Sequence, residues 1–85
     1  MITKSIDINL GNEKDVRPIA MLVQVASQFK SEISICQDDR KVNAKSIMGM
    51  MTLGLISGER VEVSADGEDE SKAIENIENF LQGKI

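Results

Sequence analysis

Val61-Glu62-Val63-Ser64-Ala65 alternates apolar and polar side chains without a break. A period of two puts Val61, Val63 and Ala65 on one face of a strand and Glu62 and Ser64 on the other. A strand of this kind is half buried, so another layer must cover its apolar face. Asp66-Gly67 ends it. A helix follows from about Glu70 to Gln82, with Ala73, Ile74, Ile77 and Leu81 on one side. The acidic run Asp66-Gly67-Glu68-Asp69-Glu70 reads as a turn into a helix whose N-terminus favours negative charge. A calcium loop would need more ligands at regular spacing.

Upstream, Gly58 marks the turn into this strand, and Ile47 to Leu53 forms a short helix closed by Gly54. Ile33 and Ile35 alternate with Ser34 and Cys36 in another strand. Gln37-Asp38-Asp39-Arg40 is a hairpin turn, and Lys41-Val42-Asn43 is the return strand. From Val16 to Phe29 the apolar residues Ile19, Leu22, Val23, Ala26 and Phe29 keep helical spacing. Pro18 is tolerated in the first turn, where its missing N–H would have no intrahelical partner. Ile6, Ile8 and Leu10 alternate with Asp7 and Asn9 as the first strand, broken by Gly11-Asn12. The order is βαββαβα, an α+β chain whose first six elements match the split βαβ arrangement. A four-stranded antiparallel sheet with three helices on its apolar face is the packing this order predicts.

The 85 residues correspond to one domain, residues 1–85, with a small core. A hydrophobic content of 41% and a charged content of 28% describe an ordered, soluble chain. The net charge of −4 argues against direct nucleic-acid binding, which needs a basic patch. No apolar run approaches the roughly 20 residues that cross a bilayer, so no membrane association is expected. Met1-Ile2-Thr3-Lys4-Ser5 lacks the features of a signal peptide. A lone cysteine, Cys36, fits a reducing cytoplasm, and nothing beside it in sequence activates the thiol. Without histidine a zinc site is not expected, and no phosphate-cradling glycine loop is present, so no cofactor is predicted.

The stretch Asn43-Ala44-Lys45-Ser46-Ile47-Met48-Gly49-Met50-Met51 carries the most specific motif. Ser46 precedes a short helix, and serine is a preferred N-cap whose hydroxyl accepts a backbone N–H bond. The same position suits a phosphate, which would meet free N–H groups and the positive end of the helix dipole. Lys45 offers a cation beside it. Ile47, Met48, Met50 and Met51 point in nearly every direction around so short a helix, so some of them must face water. Exposed methionines suit adaptable contacts with partners, whereas buried ones fill the core.

This stretch resembles, almost letter for letter, the regulatory serine region of HPr, the small phosphocarrier of the bacterial sugar phosphotransferase system. The resemblance extends over nearly the whole chain, with the helix after Pro18 and the tail Gly67-Glu68-Asp69-Glu70 in support. It implies the HPr fold, an open-faced β-sandwich. It further implies that HPr kinase/phosphorylase phosphorylates Ser46 and that the phosphorylated form is a cofactor of a catabolite-control transcription factor. Ile47, Met48 and Met51 would then dock these partners. The implied role is that of a regulatory protein and not an enzyme.

A second segment departs from the family. Where HPr has Gly-Leu-His-Ala-Arg-Pro with its phosphoaccepting histidine, this chain has Glu13-Lys14-Asp15-Val16-Arg17-Pro18. Asp15 occupies the histidine position and has no imidazole nitrogen. Aspartate is a good N-cap, which is the plain reading of Asp15. Its fixed charge could also imitate a phosphorylated histidine weakly, or it could carry an acyl phosphate as some enzymic carboxylates do. Arg17 is retained and is expected to contact partners. The pattern resembles that of the catabolite-repression branch of the family, which lacks the histidine, and this implies action through the serine. Two other readings stay open: a decoy binding enzyme I or enzyme II proteins without phosphorylation, and a phosphocarrier component using Asp15.

Overall fold

The computed structural model describes residues 1–9, 17–53 and 58–83. Seven elements follow one another: β1 (Ile2–Asp7), α1 (Arg17–Ser27), β2 (Glu32–Gln37), β3 (Arg40–Asn43), α2 (Ile47–Leu53), β4 (Arg60–Asp66) and α3 (Glu70–Leu81). Leu10, the break at Gly11-Asn12, the predicted helix start at Val16 and the closing Gly54 lie outside the described residues.

The strands form one antiparallel sheet in the order β1-β4-β2-β3. The strand with the cleanest alternation thus lies between two neighbours, with Val61 facing Ile6 of β1 and Val63 facing Ile35 of β2. Val61, Val63, Ala65, Ile33, Ile35 and Ile6 are all buried, whereas Glu62 and Glu32 on the opposite parity are exposed. One face of the sheet is therefore covered and the other open, as the resemblance implied. The cover comes from Ile19, Leu22 and Ala26 of α1, Met50 and Leu53 of α2, and Ala73, Ile74, Ile77 and Leu81 of α3. Phe80 is buried as well, a position the helical stripe read from sequence left out.

Two boundaries differ by more than one residue from the sequence expectation. The first strand spans Ile2–Asp7, not Ile6–Leu10. Its start was hidden by Lys4, which has the inward parity of Ile2 and Ile6 and pairs with Val63. Lys4 escapes burial by reaching the Glu78 carboxylate of α3 at 2.8 Å. Ile8 follows the strand, still buried, with its N–H donated to Glu59 O at 2.8 Å and its carbonyl accepting from Gly58 N at 2.9 Å. The second difference is at Phe29, which lies beyond the end of α1. Gln28 N and Phe29 N donate to Val25 O and Ala26 O, tightening the last turn to i−3 bonds.

Candidate functional site

The site is built from the β3–α2 junction. Val42 packs on the core while Asn43 turns the chain. The Asn43 side-chain oxygen accepts the Lys45 N–H at 2.8 Å, and its backbone carbonyl accepts the Ser46 N–H at 3.0 Å. This is an Asx-type turn, in which a short amide side chain replaces a missing backbone partner. Ala44 is fully buried and anchors the turn, its N–H donated to Ile33 O at 2.9 Å.

Ser46 then caps α2. Its hydroxyl accepts the Gly49 N–H at 3.2 Å, and its carbonyl accepts the Met50 N–H at 2.9 Å. The serine is half-buried, and α2 has no acidic residue in its first turn. The helix dipole is thus met by a neutral hydroxyl at this end. The other end is held by Arg40, whose guanidinium donates to Thr52 O at 2.6 Å, and by the Thr52 hydroxyl donating to Gly49 O at 2.6 Å. Arg40 was not singled out from sequence as part of the site. Its contact joins the start of β3 to the end of α2, and no local pattern announces it.

Met50 is fully buried, and Ile47, Met48 and Met51 are 47%, 79% and 58% exposed. The three residues expected to dock partners therefore lie at the surface immediately after Ser46, and the fourth apolar residue of the helix belongs to the core. Lys45 differs from its expected use. Its ammonium donates to Phe29 O at 2.7 Å, satisfying a backbone carbonyl just beyond the end of α1. In this state it is bound to backbone and is not a free cation beside the hydroxyl.

Arg17 opens α1, but its side chain lies outside the described residues, as do Glu13, Lys14, Asp15 and Val16. Cys36 sits in β2 with its thiol 3.8 Å from Asp38 O. Among the described residues, no three acidic or cysteine side chains come together as metal ligands. Among them also, no helix is long and apolar enough to cross a membrane.

The acidic run has a role the sequence did not show. Asp69 was expected to serve the helix that follows, yet its side chain makes no cap bond to α3. Its carboxylate accepts the N–H of Lys30 at 2.8 Å, the N–H of Ser31 at 3.0 Å and the Ser31 hydroxyl. The Ser31 hydroxyl, and next the Lys30 N–H, hold its pKa below the usual carboxylate value.

Comparison with known proteins covers nearly the whole chain. A family model described as the PTS HPr component phosphorylation site matches residues 2–83. The HPr-like protein Crh of Bacillus subtilis (strain 168) is 38% identical over 85 residues, covering 100% of both chains. The HPr-like protein Crh of Halalkalibacterium halodurans is 42% identical over 82 residues, covering 96% of this chain and 98% of the relative. The crystal structure of HPr-C-His from Thermoanaerobacter tengcongensis superposes with a TM-score of 0.90 at 43% identity, covering 99% of this chain and 94% of that one. Fold, motif and full-length similarity coincide, and the chain belongs to the HPr family of the phosphotransferase system.

Proposed function

We propose that this protein is a regulatory HPr-like module that works through Ser46 and lacks histidine phosphocarrier activity. HPr kinase/phosphorylase phosphorylates the Ser46 hydroxyl, and the phosphorylated form acts as cofactor of a catabolite-control transcription factor. The observation that carries this reading is the adjacency of the capping hydroxyl of Ser46 to the exposed side chains of Ile47, Met48 and Met51. A phosphate there changes the charge by about −1.5 to −2 beside an apolar docking face. The absence of histidine from the chain removes the ordinary phosphocarrier chemistry. The similarity to HPr-like proteins named Crh fits the same role. Lys45 and Arg17 contribute positive charge toward partners, Lys45 after exchanging the Phe29 carbonyl for phosphate. The protein acts in the cytoplasm as one domain and is not itself an enzyme.

The test is intact-mass spectrometry after incubation with HPr kinase and ATP, with Ser46→Ala as control. One added phosphate in the wild type and none in the variant is expected. No phosphate in either sinks the reading. The exposure of the docking face before any phosphorylation favours a second reading, a decoy that binds enzyme I or another phosphotransferase-system protein as it stands. Binding to enzyme I that is indifferent to ATP and to Ser46→Ala would select it. Asp15 as phosphate carrier predicts a hydroxylamine-sensitive label from phosphoenolpyruvate through enzyme I, lost in Asp15→Ala.

A further inference from the structure

Two of the three exposed apolar side chains on α2 are thioethers. Met48 and Met51, at 79% and 58% exposure, stand three residues apart and so share one face of the helix. Met50, between them in sequence, is fully shielded by the core. The same short helix thus presents two thioether side chains to solvent and hides a third. An apolar docking face could have been made from leucine and isoleucine; here its oxidisable share is the larger one.

We infer that Met48 and Met51 form a peroxide-sensitive modification site, and that their sulfoxidation switches the docking face off. The inference rests on the docking role proposed above for this face. The sulfur lone pair attacks one oxygen of hydrogen peroxide, the O–O bond breaks, and the departing hydroxide takes up the remaining proton as water. The sulfur is oxidised by two electrons and the peroxide is reduced. The product is a polar, chiral sulfoxide, which methionine sulfoxide reductases return to the thioether. The S=O group is a hydrogen-bond acceptor and loses its water when a partner covers it. An apolar partner pocket offers no donor in exchange, so each sulfoxide weakens docking. The fold persists through the change because Met50 keeps its place among Ile6, Leu22 and the rest of the core.

The experiment uses the full chain carrying Cys36→Ser and Met21→Leu. These changes remove the half-exposed thiol and the exposed methionine of α1 from the oxidation pattern. After hydrogen peroxide treatment, peptide mass mapping should find oxygen on Met48 and Met51 and none on Met50. Met1, exposed at the chain start, serves as an internal measure of peroxide reactivity. Phosphorylation of Ser46 by HPr kinase, at limiting kinase, should fall on the order of ten- to a hundredfold in kcat/KM. Treatment with methionine sulfoxide reductase should restore it. Adding Met48→Leu and Met51→Leu should bring the ratio of treated to untreated rates to one. Equal rates before and after verified oxidation of Met48 and Met51 would overturn the inference, as would oxidation of Met50 in step with its neighbours. An untreated chain that the kinase does not phosphorylate at all would instead overturn the functional reading on which it rests.

Discussion

Lys45 and Phe29 are joined by a hydrogen bond from the Lys45 ammonium to the Phe29 carbonyl, 2.7 Å long. The residue next to the candidate phosphorylation site is therefore fastened to the end of α1. This bond satisfies the carbonyl of Phe29, two residues beyond the last residue of α1. Replacing Lys45 with Met keeps most of the side-chain volume and removes the donor. A loss of about 1 kcal/mol in urea denaturation is expected for one such bond, partly solvated. An unchanged unfolding midpoint would show that water takes over the carbonyl without cost.

Ser46→Ala removes both the proposed phosphate acceptor and the helix cap. The Gly49 N–H loses its 3.2 Å partner, and stability should fall by about 1 kcal/mol, within the usual range for N-caps. Ser46→Asp replaces the hydroxyl with another good cap and adds the negative charge that the first turn of α2 lacks. It should recover the Ser46→Ala loss in thermal unfolding. A Ser46→Asp protein less stable than Ser46→Ala would contradict the cap geometry.

Acid should loosen the contact between Asp69 and the segment Lys30-Ser31. Hydrogen bonds from the Ser31 hydroxyl and the Lys30 N–H lower the folded-state pKa of Asp69. Glu70 is lowered too, first by the Gly67 N–H and then by the N-terminal ammonium. A depressed pKa means that the unfolded chain binds the proton more readily. The associated stability is complete above the unfolded value of about 4 and is lost as pH falls toward the lower folded value. The urea midpoint should therefore drop below about pH 4, and the drop should be shallower in Asp69→Asn, where Glu70 alone remains. Identical acid limbs for the two proteins would remove Asp69 from the explanation.

Gly67 is required by a close approach. A Cβ at this position would lie 2.6 Å from the Ser31 Cα, a backbone atom that has no rotamer by which to retreat. Gly67→Ala should cost about 1–3 kcal/mol through displacement of the Ser31 turn. It should also weaken the Asp69 contact, giving a flatter acid limb than the wild type. Gly49 offers the opposite case. There a Cβ would meet Ser46 Oγ at 3.5 Å, an ordinary contact, so Gly49→Ala should fold normally. A marginal change in midpoint for Gly67→Ala, similar to that for Gly49→Ala, would show that the Ser31 turn yields without strain.

The sequence by itself determined the order of elements, the family and the buried faces of the long helices and of β4. Alternation in Val61–Ala65 and the stripe Ala73, Ile74, Ile77, Leu81 are local patterns, legible because a strand repeats every two residues and a helix every 3.6. The serine motif was legible for another reason: its identity lies in consecutive letters. Tertiary structure alone decided what joins residues far apart in the chain. Periodicity does not encode the sheet order that puts β4 between β1 and β2. Nor does it encode the pairing of Lys4 with Glu78, which disguised the start of the first strand. Asp69 was read as serving its own helix, but it binds Ser31, 38 residues away. The four apolar residues of α2 looked alike in sequence. Only packing on the sheet decided that Met50 is core and that Ile47, Met48 and Met51 face solvent, because a helix turns one side to its neighbours and the composition of that side does not say which.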